Sequence, residues 1–232
     1  MQKKFVNSTA VIIPVYNEGK VIRNVIADAL KHVSTVIAVN DGSKDNSADE
    51  IAKTNAILID HPINMGQGAA LQTGLEYARE LENISYFVHF DADGQHDIRD
   101  VEKMLAILEK GKYDIVLGSR FLEKVSAKKV PLKKRILLKL ALWFTVLTTG
   151  LKLTDTHNGL RVFNRKAANA IEITLPDMAH ASEILALIHQ YKLKYTEAPV
   201  TIRYTAYSQA KGQPILNAIN IVYDILVKGK GK

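Results

Sequence analysis

Apolar residues in the first half of the chain fall into short runs separated by stretches with helical spacing. Thr9–Pro14, Thr35–Val39, Ala56–Ile59, Tyr86–Phe90 and Asp114–Leu117 are rich in β-branched or aliphatic residues and bounded by turn-formers, so each predicts a strand. Between the first two, Val21, Ile22, Val25, Ile26 and Ala29 predict a helix over Gly19–His32; further helices are expected over Ser47–Lys53, Gly68–Leu81 and Ile98–Leu108. Strands alternating with helices predict an α/β fold with a parallel, doubly wound sheet, whose ligands bind outside the carboxyl ends of the strands. The second half has another rhythm. Strands are expected at Leu160–Phe163 and Tyr195–Tyr204, a helix at Ala181–His189, and a last helix at Pro214–Val227 with Ile215, Leu216, Ile219, Val222, Ile225 and Leu226 as its apolar stripe.

Length and composition narrow the class. A chain of 232 residues with 47% hydrophobic and 24% charged residues has enough apolar material for one domain with a sizeable core. Cysteine is absent, which excludes a disulfide framework, a thiolate nucleophile and Cys-ligated zinc. The N-terminal Met-Gln-Lys-Lys lacks the apolar stretch of a signal peptide, so an intracellular protein is expected. The net charge of +7 is concentrated at Lys124, Lys128, Lys129, Lys133, Lys134, Arg135 and Lys139. The apolar run Ile136–Leu151 follows, too short and too charged for a bilayer span of roughly 20 residues. A basic flank feeding an apolar segment is the pattern of a helix lying on a membrane surface, and equally of a core helix with a solvated shoulder. Without interleaved aromatics or a binding motif, nucleic acid is not an expected partner.

Candidate chemistry sits where the predicted strands end. Asp91-Ala92-Asp93-Gly94-Gln95 follows the fourth strand, and its two carboxylates share one direction out of the sheet edge. Like charges so close need a cation, a shared proton or full solvation. A hard divalent metal bridging to phosphate oxygens uses both carboxylates; an acidic turn ahead of the next helix is the alternative. Three earlier loops meet the same edge: Pro14-Val15-Tyr16-Asn17-Glu18, Asn40-Asp41-Gly42-Ser43, and His61–Gly68 with Asn64 and Gly66. Together they suit a nucleotide: Tyr16 to stack on a base, Glu18 or Asp41 to hold ribose or base. The GxGxxG fingerprint and the P-loop are both missing, which disfavours dinucleotide and P-loop chemistry.

The ordered set IIPVYNE, VNDGSKDNS, INMGQGAALQTGLEYA, FDADGQHD and GSRF resembles the family 2 glycosyltransferases of GT-A fold, within them the branch of dolichyl-phosphate mannose synthases and polyprenyl-phosphate glycosyltransferases. The resemblance runs from about Val11 to Pro199. It implies a mostly parallel sheet flanked by helices, a single domain over 1–232, a nucleotide-sugar half (1–120) and an acceptor half (121–232) with a membrane-facing amphipathic segment at 124–153 and a helix at 214–227. It further implies a UDP- or GDP-type sugar donor, Mg2+ or Mn2+, inversion at the anomeric carbon, and a polyprenyl-phosphate or other lipid-linked acceptor. The expected place is peripheral, at the cytoplasmic membrane face, with a homo-oligomer or a membrane-protein partner among the expected associations. Transfer to a saccharide and a sugar nucleotidyltransferase are the competing activities.

By the same resemblance, Pro14, Tyr16, Glu18, Asp41, Asn64, Gly66, Asp91, Ala92, Asp93 and Arg120 are the nucleotide-sugar residues, and Asp91, Asp93 and Gln95 the metal ligands. Asp93, Arg120, Asp155 and Glu183 are the catalytic candidates, either of the last two serving as base if the acceptor is a hydroxyl. Arg135, Arg161, Ser208 and Lys211 are the acceptor candidates. Departures from the family pattern are Gln67 where many relatives carry Lys, and a late loop that keeps Lys211 but lacks the nearby Arg.

Overall fold

The structure is a computed structural model that describes residues 3–122, 150–156 and 158–203. A short helix α1 (Lys3–Val6) precedes β1 (Thr9–Val15), α2 (Ile22–Ala29), β2 (Thr35–Asp41), α3 (Ser47–Ala52), β3 (Ile57–His61), α4 (Gln67–Glu80), β4 (Tyr86–His89), α5 (Ile98–Gly111) and β5 (Ile115–Ser119). After the segment outside the described residues come β6 (Arg161–Asn164), α6 (Arg165–Ala170), a 3-10 turn (Asp177–Ala179), α7 (His180–Gln190) and β7 (Tyr195–Pro199). The strands form one sheet in the order β3-β2-β1-β4-β6-β5-β7.

Sheet and helices enclose two apolar layers. On one face Val11, Ile13 and Val88 pack against Ile22 and Ile26 of α2 and Val101, Met104 and Leu105 of α5. On the other Ile12, Ile37, Phe87 and Phe163 pack against Leu71 and Leu75 of α4 and Ile184 and Ile188 of α7. The strict alternation within β1, with Val11 and Ile13 on one face and Ala10 and Ile12 on the other, makes it the shared wall of both layers. Gly74 lets α4 approach β1 closely, because a Cβ there would lie 2.4 Å from Ile12.

One strand departs from the expected parallel sheet. β6 runs antiparallel to both β4 and β5, pairing Arg161 with His89 and with Leu117. The chain leaves β5 at the carboxyl edge and re-enters at that edge, where Asp155 meets Arg120. A strand starting there must run back through the sheet. The N-terminal side of β6 therefore joins the loops at the carboxyl edge of the parallel strands. The final strand is also shorter than expected: it ends at Pro199, and Val200–Arg203 crosses the 95–100 loop instead. The predicted helix 214–227, most of the segment 124–153, and Arg135, Ser208 and Lys211 lie outside the described residues. Of that segment, Leu151 and Leu153 are buried in the second apolar layer.

Candidate active site

The first two loops are sewn together by backbone-to-side-chain bonds. Asn17, held in the left-handed region at φ 55°, donates its N–H to Ser43 Oγ (3.0 Å), while its side-chain oxygen accepts from Lys44 N (2.8 Å). Glu18 N donates to Ser47 Oγ (2.8 Å) and Gly19 N to Asp45 Oδ2 (3.0 Å). The result leaves Tyr16 at the rim, 42% exposed, with Glu18 turned inward at 8%. Pro14 lies inside β1, past Ile12 where the pairing with β4 ends, so its missing N–H breaks no β4 ladder bond.

Asp41 is the organiser of the third loop. Its carboxylate accepts from His61 Nδ1 (2.8 Å), Met65 N (2.9 Å) and Gly66 N (2.8 Å), and its carbonyl accepts from Asn64 Nδ2 (3.2 Å). His61 Nε2 pairs in turn with Thr73 Oγ1 at 3.0 Å. Gly66 has φ 94° and no room for a Cβ, since Asp177 N would lie 2.7 Å away. This loop therefore enters α4 under a lid formed by residues 175–180.

Asp91 and Asp93 have different surroundings. Asp91, 31% exposed, receives His96 Nε2 at 2.9 Å and Gln67 Nε2 at 3.4 Å. Burial disfavours its charge, but the His96 bond and the nearby Arg161 outweigh this and lower its pKa. Among the described residues Asp93 accepts a backbone bond from Gln95 N at 2.9 Å, and burial together with the Asp91 charge raises its pKa. It faces a cavity of about 490 Å³ walled by Val21, Val25, Phe90 and Ile98 and edged by His96 and Arg203. Among the described residues no three carboxylate or imidazole groups converge as a ready metal centre. The available donor set is two carboxylates plus the Gln95 amide, all hard oxygens, and a divalent cation would offset the burial and the Asp91 charge that disfavour an ionised Asp93. The residues fit such an ion.

Behind Asp91 lies a buried polar cluster. Arg161 is 3% exposed and His89 1%; the two face each other across the β4–β6 pair. Burial lowers the Arg161 pKa to about 10, against the pull of Asp91 and Asp155. Burial, then the Arg161 charge, lowers His180 to about 4 and His89 well below its usual value, so both rings are neutral near pH 7. Arg161, expected at the acceptor, is thus buried between Asp91 and His89.

The opposite wall is an ion pair. Arg120 donates from Nε and Nη2 to the two oxygens of Asp155 at 2.7 and 2.8 Å, and from its backbone N–H at 3.1 Å. Asp155 in turn is seated by Glu197, which accepts from Asp155 N at 3.1 Å. Glu183 stands apart: its carboxylate accepts from Thr174 N, Thr174 Oγ1 and Leu175 N, at 2.5–3.1 Å. It does not pair with Arg161. Glu197, His96 and His180 were missed by sequence reasoning. A Glu between Thr196 and Ala198 in a strand was the one available signal.

The profile of Glycosyl transferase family 2 matches residues 10–172. The chain belongs to that family. Its relatives include a UDP-N-acetylglucosamine–dolichyl-phosphate N-acetylglucosaminyltransferase from Methanococcus voltae, 34% identical over 95% of this chain and 96% of the relative. A dolichyl-phosphate β-glucosyltransferase from Dictyostelium discoideum is 27% identical over 94% of this chain and 72% of its own length. Among solved structures, glucosyl-3-phosphoglycerate synthase from Mycobacterium tuberculosis with Mn2+ and UDP-glucose superposes with a TM-score of 0.67 at 17% identity, covering 96% of this chain and 78% of that one. That likeness shows the GT-A fold. The family 2 glycosyltransferase is thus an enzyme with a mostly parallel sheet flanked by helices, and among the described residues no helix is long and apolar enough to cross a membrane.

Proposed function

We propose that this family 2 glycosyltransferase moves a hexose-type sugar from a UDP-sugar to a polyprenyl phosphate of the dolichyl class, with inversion, at the cytoplasmic face of a membrane. The observation that carries the reading is that the Asp91–Gln95 loop and the Arg120–Asp155 pair stand at one sheet edge, with Arg161 near enough to interact with both Asp91 and Asp155. The acceptor names of the Methanococcus voltae and Dictyostelium discoideum relatives support it.

The residues divide the work as follows. Tyr16 and the Asp41-organised loop hold the nucleoside, with Glu18, Asn64, Gly66 and Ala92 around it. Asp91, Asp93 and Gln95 would hold Mg2+ or Mn2+, which when bound neutralises charge growing on the pyrophosphate leaving group. Arg120 meets the same developing charge or the acceptor phosphate, a contact that strengthens as the glycosidic bond breaks. A phosphate acceptor is already anionic and needs no general base. The commitments of Asp155 to Arg120 and of Glu183 to the 174–175 turn favour that acceptor over a sugar hydroxyl. Arg135, Ser208, Lys211 and the basic stretch 124–139 would bind the lipid phosphate and the membrane surface.

The test is transfer from UDP-N-acetylglucosamine, UDP-glucose and GDP-mannose to a short polyprenyl phosphate, with and without Mn2+. Expected is one UDP-sugar giving a β-linked glycosyl phosphopolyprenol, and no product after chelation. Preferred transfer to a free saccharide, or turnover untouched by chelation, would overturn the reading.

A further inference from the structure

Glu197 is a carboxylate in the middle of β7, paired in register with Leu117 of β5. Its two oxygens accept from the returning chain: Thr154 N at 2.9 and 2.8 Å, Thr154 Oγ1 at 3.0 Å and Asp155 N at 3.1 Å. Thr154 Oγ1 also meets Ser119 Oγ at 2.6 Å, and Ser119 Oγ accepts from Phe121 N at 3.2 Å. The Ser119–Phe121 turn and the Thr154–Asp155 turn are therefore clamped to each other, with Arg120 at the centre. An apolar residue at 197 would fit a strand better and would leave two amide donors without acceptors. Burial and the neighbouring Asp155 charge both work against an ionised Glu197, so the fold keeps the carboxylate at a cost.

We propose that Glu197 is a positioning residue for the transfer reaction: by seating the 154–155 backbone it aims Asp155, and through Asp155 it fixes the plane of the Arg120 guanidinium toward phosphate. Its role is exerted through Asp155 and Arg120. The chain of contacts is carboxylate to amide, carboxylate to guanidinium, and guanidinium to phosphate. Asp155, with a fully buried side chain, links a strand to a cation that is 29% exposed. This rests on the reading of Arg120 as the phosphate-facing cation, given under Proposed function.

A double-mutant cycle on the full chain tests it, with E197Q, R120K and the double variant assayed for kcat, donor KM and thermal midpoint. Gln at 197 turns an N–H toward the 154–155 amides, so E197Q is expected to lower kcat about tenfold with donor KM little changed. In the R120K background the same substitution should change kcat less than twofold. Equal losses in both backgrounds, or a loss that tracks the thermal midpoint, would show Glu197 to be structural only and overturn the proposal. R120K with unchanged kcat would instead sink the reading of Arg120 and leave E197Q to be judged by its own kcat. If E197Q is recovered only as aggregate, Thr154→Val removes the hydroxyl links alone; its expected loss of about threefold must also vanish with R120K.

Discussion

Arg120 and Asp155, 35 residues apart in sequence, form a two-pronged ion pair that closes one side of the site. The geometry is that of a guanidinium held flat by one carboxylate, which fixes direction as well as charge.

Asp155→Asn keeps the shape and removes the charge. One of the two prongs then faces an amide N–H instead of an oxygen. Expected is a fall in kcat of about tenfold to a hundredfold, with stability lowered by about 1–3 kcal/mol because a buried partner is left imperfectly matched. Steady-state kinetics beside urea denaturation measures both. A kcat unchanged within twofold would remove Arg120 from the reaction.

Asp93→Ala separates function from stability in the opposite sense. Burial and the Asp91 charge raise the Asp93 pKa, so deleting it relieves repulsion. The variant should melt no lower than the parent, while Mn2+ binding followed by electron paramagnetic resonance and metal-dependent turnover are both lost. Full turnover of the variant in excess Mn2+ would exclude the assignment of Asp93 as a ligand.

Much of this was legible along the chain because it is local. Each early strand is a β-branched or aliphatic run, each helix an apolar stripe, and the loops that follow them carry their own turn chemistry. α6 was missed: six residues opened by Asn164, whose side chain accepts from Ala167 N, are too few to show a period. The direction of β6 was not legible, because it depends on Arg120 meeting Asp155 across the intervening segment. Asp41 shows the same limit at one residue. Its place at a strand end was readable, but its partners Met65 and Gly66 lie 24 and 25 residues away, so its role as a loop organiser was not. Arg161 read as a basic residue near the acceptor; the antiparallel register buries it against His89.

The neutral histidines give the fold a pH signature. His180 titrates at about 4 in the folded chain against a usual 6.5, first because it is buried and then because Arg161 is close. Unfolding therefore takes up a proton between those values, so stability is full above pH 6.5 and declines as pH falls toward 4. The contribution is at most about 3 kcal/mol, and His89 adds in the same direction. The carboxylates with lowered pKa, such as Asp91 and Asp114, lose their contribution only below about pH 4 and do not confuse the window. Urea midpoints measured from pH 7 to 4.5 should fall steadily, and His180→Leu should flatten the slope. An unchanged slope in that variant would mean that His180 is protonated in the folded chain.

Gly159→Ala is the smallest change that reaches the Asp91–Gln95 loop. A Cβ at Gly159 would lie 2.3 Å from Asp91 Oδ2 and 2.5 Å from Oδ1, distances that no real contact tolerates. Its three nearest atoms are all in the Asp91 carboxyl group, so the clash falls on a side chain and not on the core. Asp91 must swing away, giving up His96 and Gln67. The fold should survive with a loss of about 1–2 kcal/mol, whereas turnover should fall at least about tenfold because one oxygen ligand has moved. Gly159→Ala should also weaken Mn2+ binding more than it weakens the affinity for free uridine, which the Tyr16 and Asp41 loops are proposed to hold. Wild-type Mn2+ affinity in this variant would mean that Asp91 is not a direct ligand, leaving Asp93 and Gln95 to hold the ion.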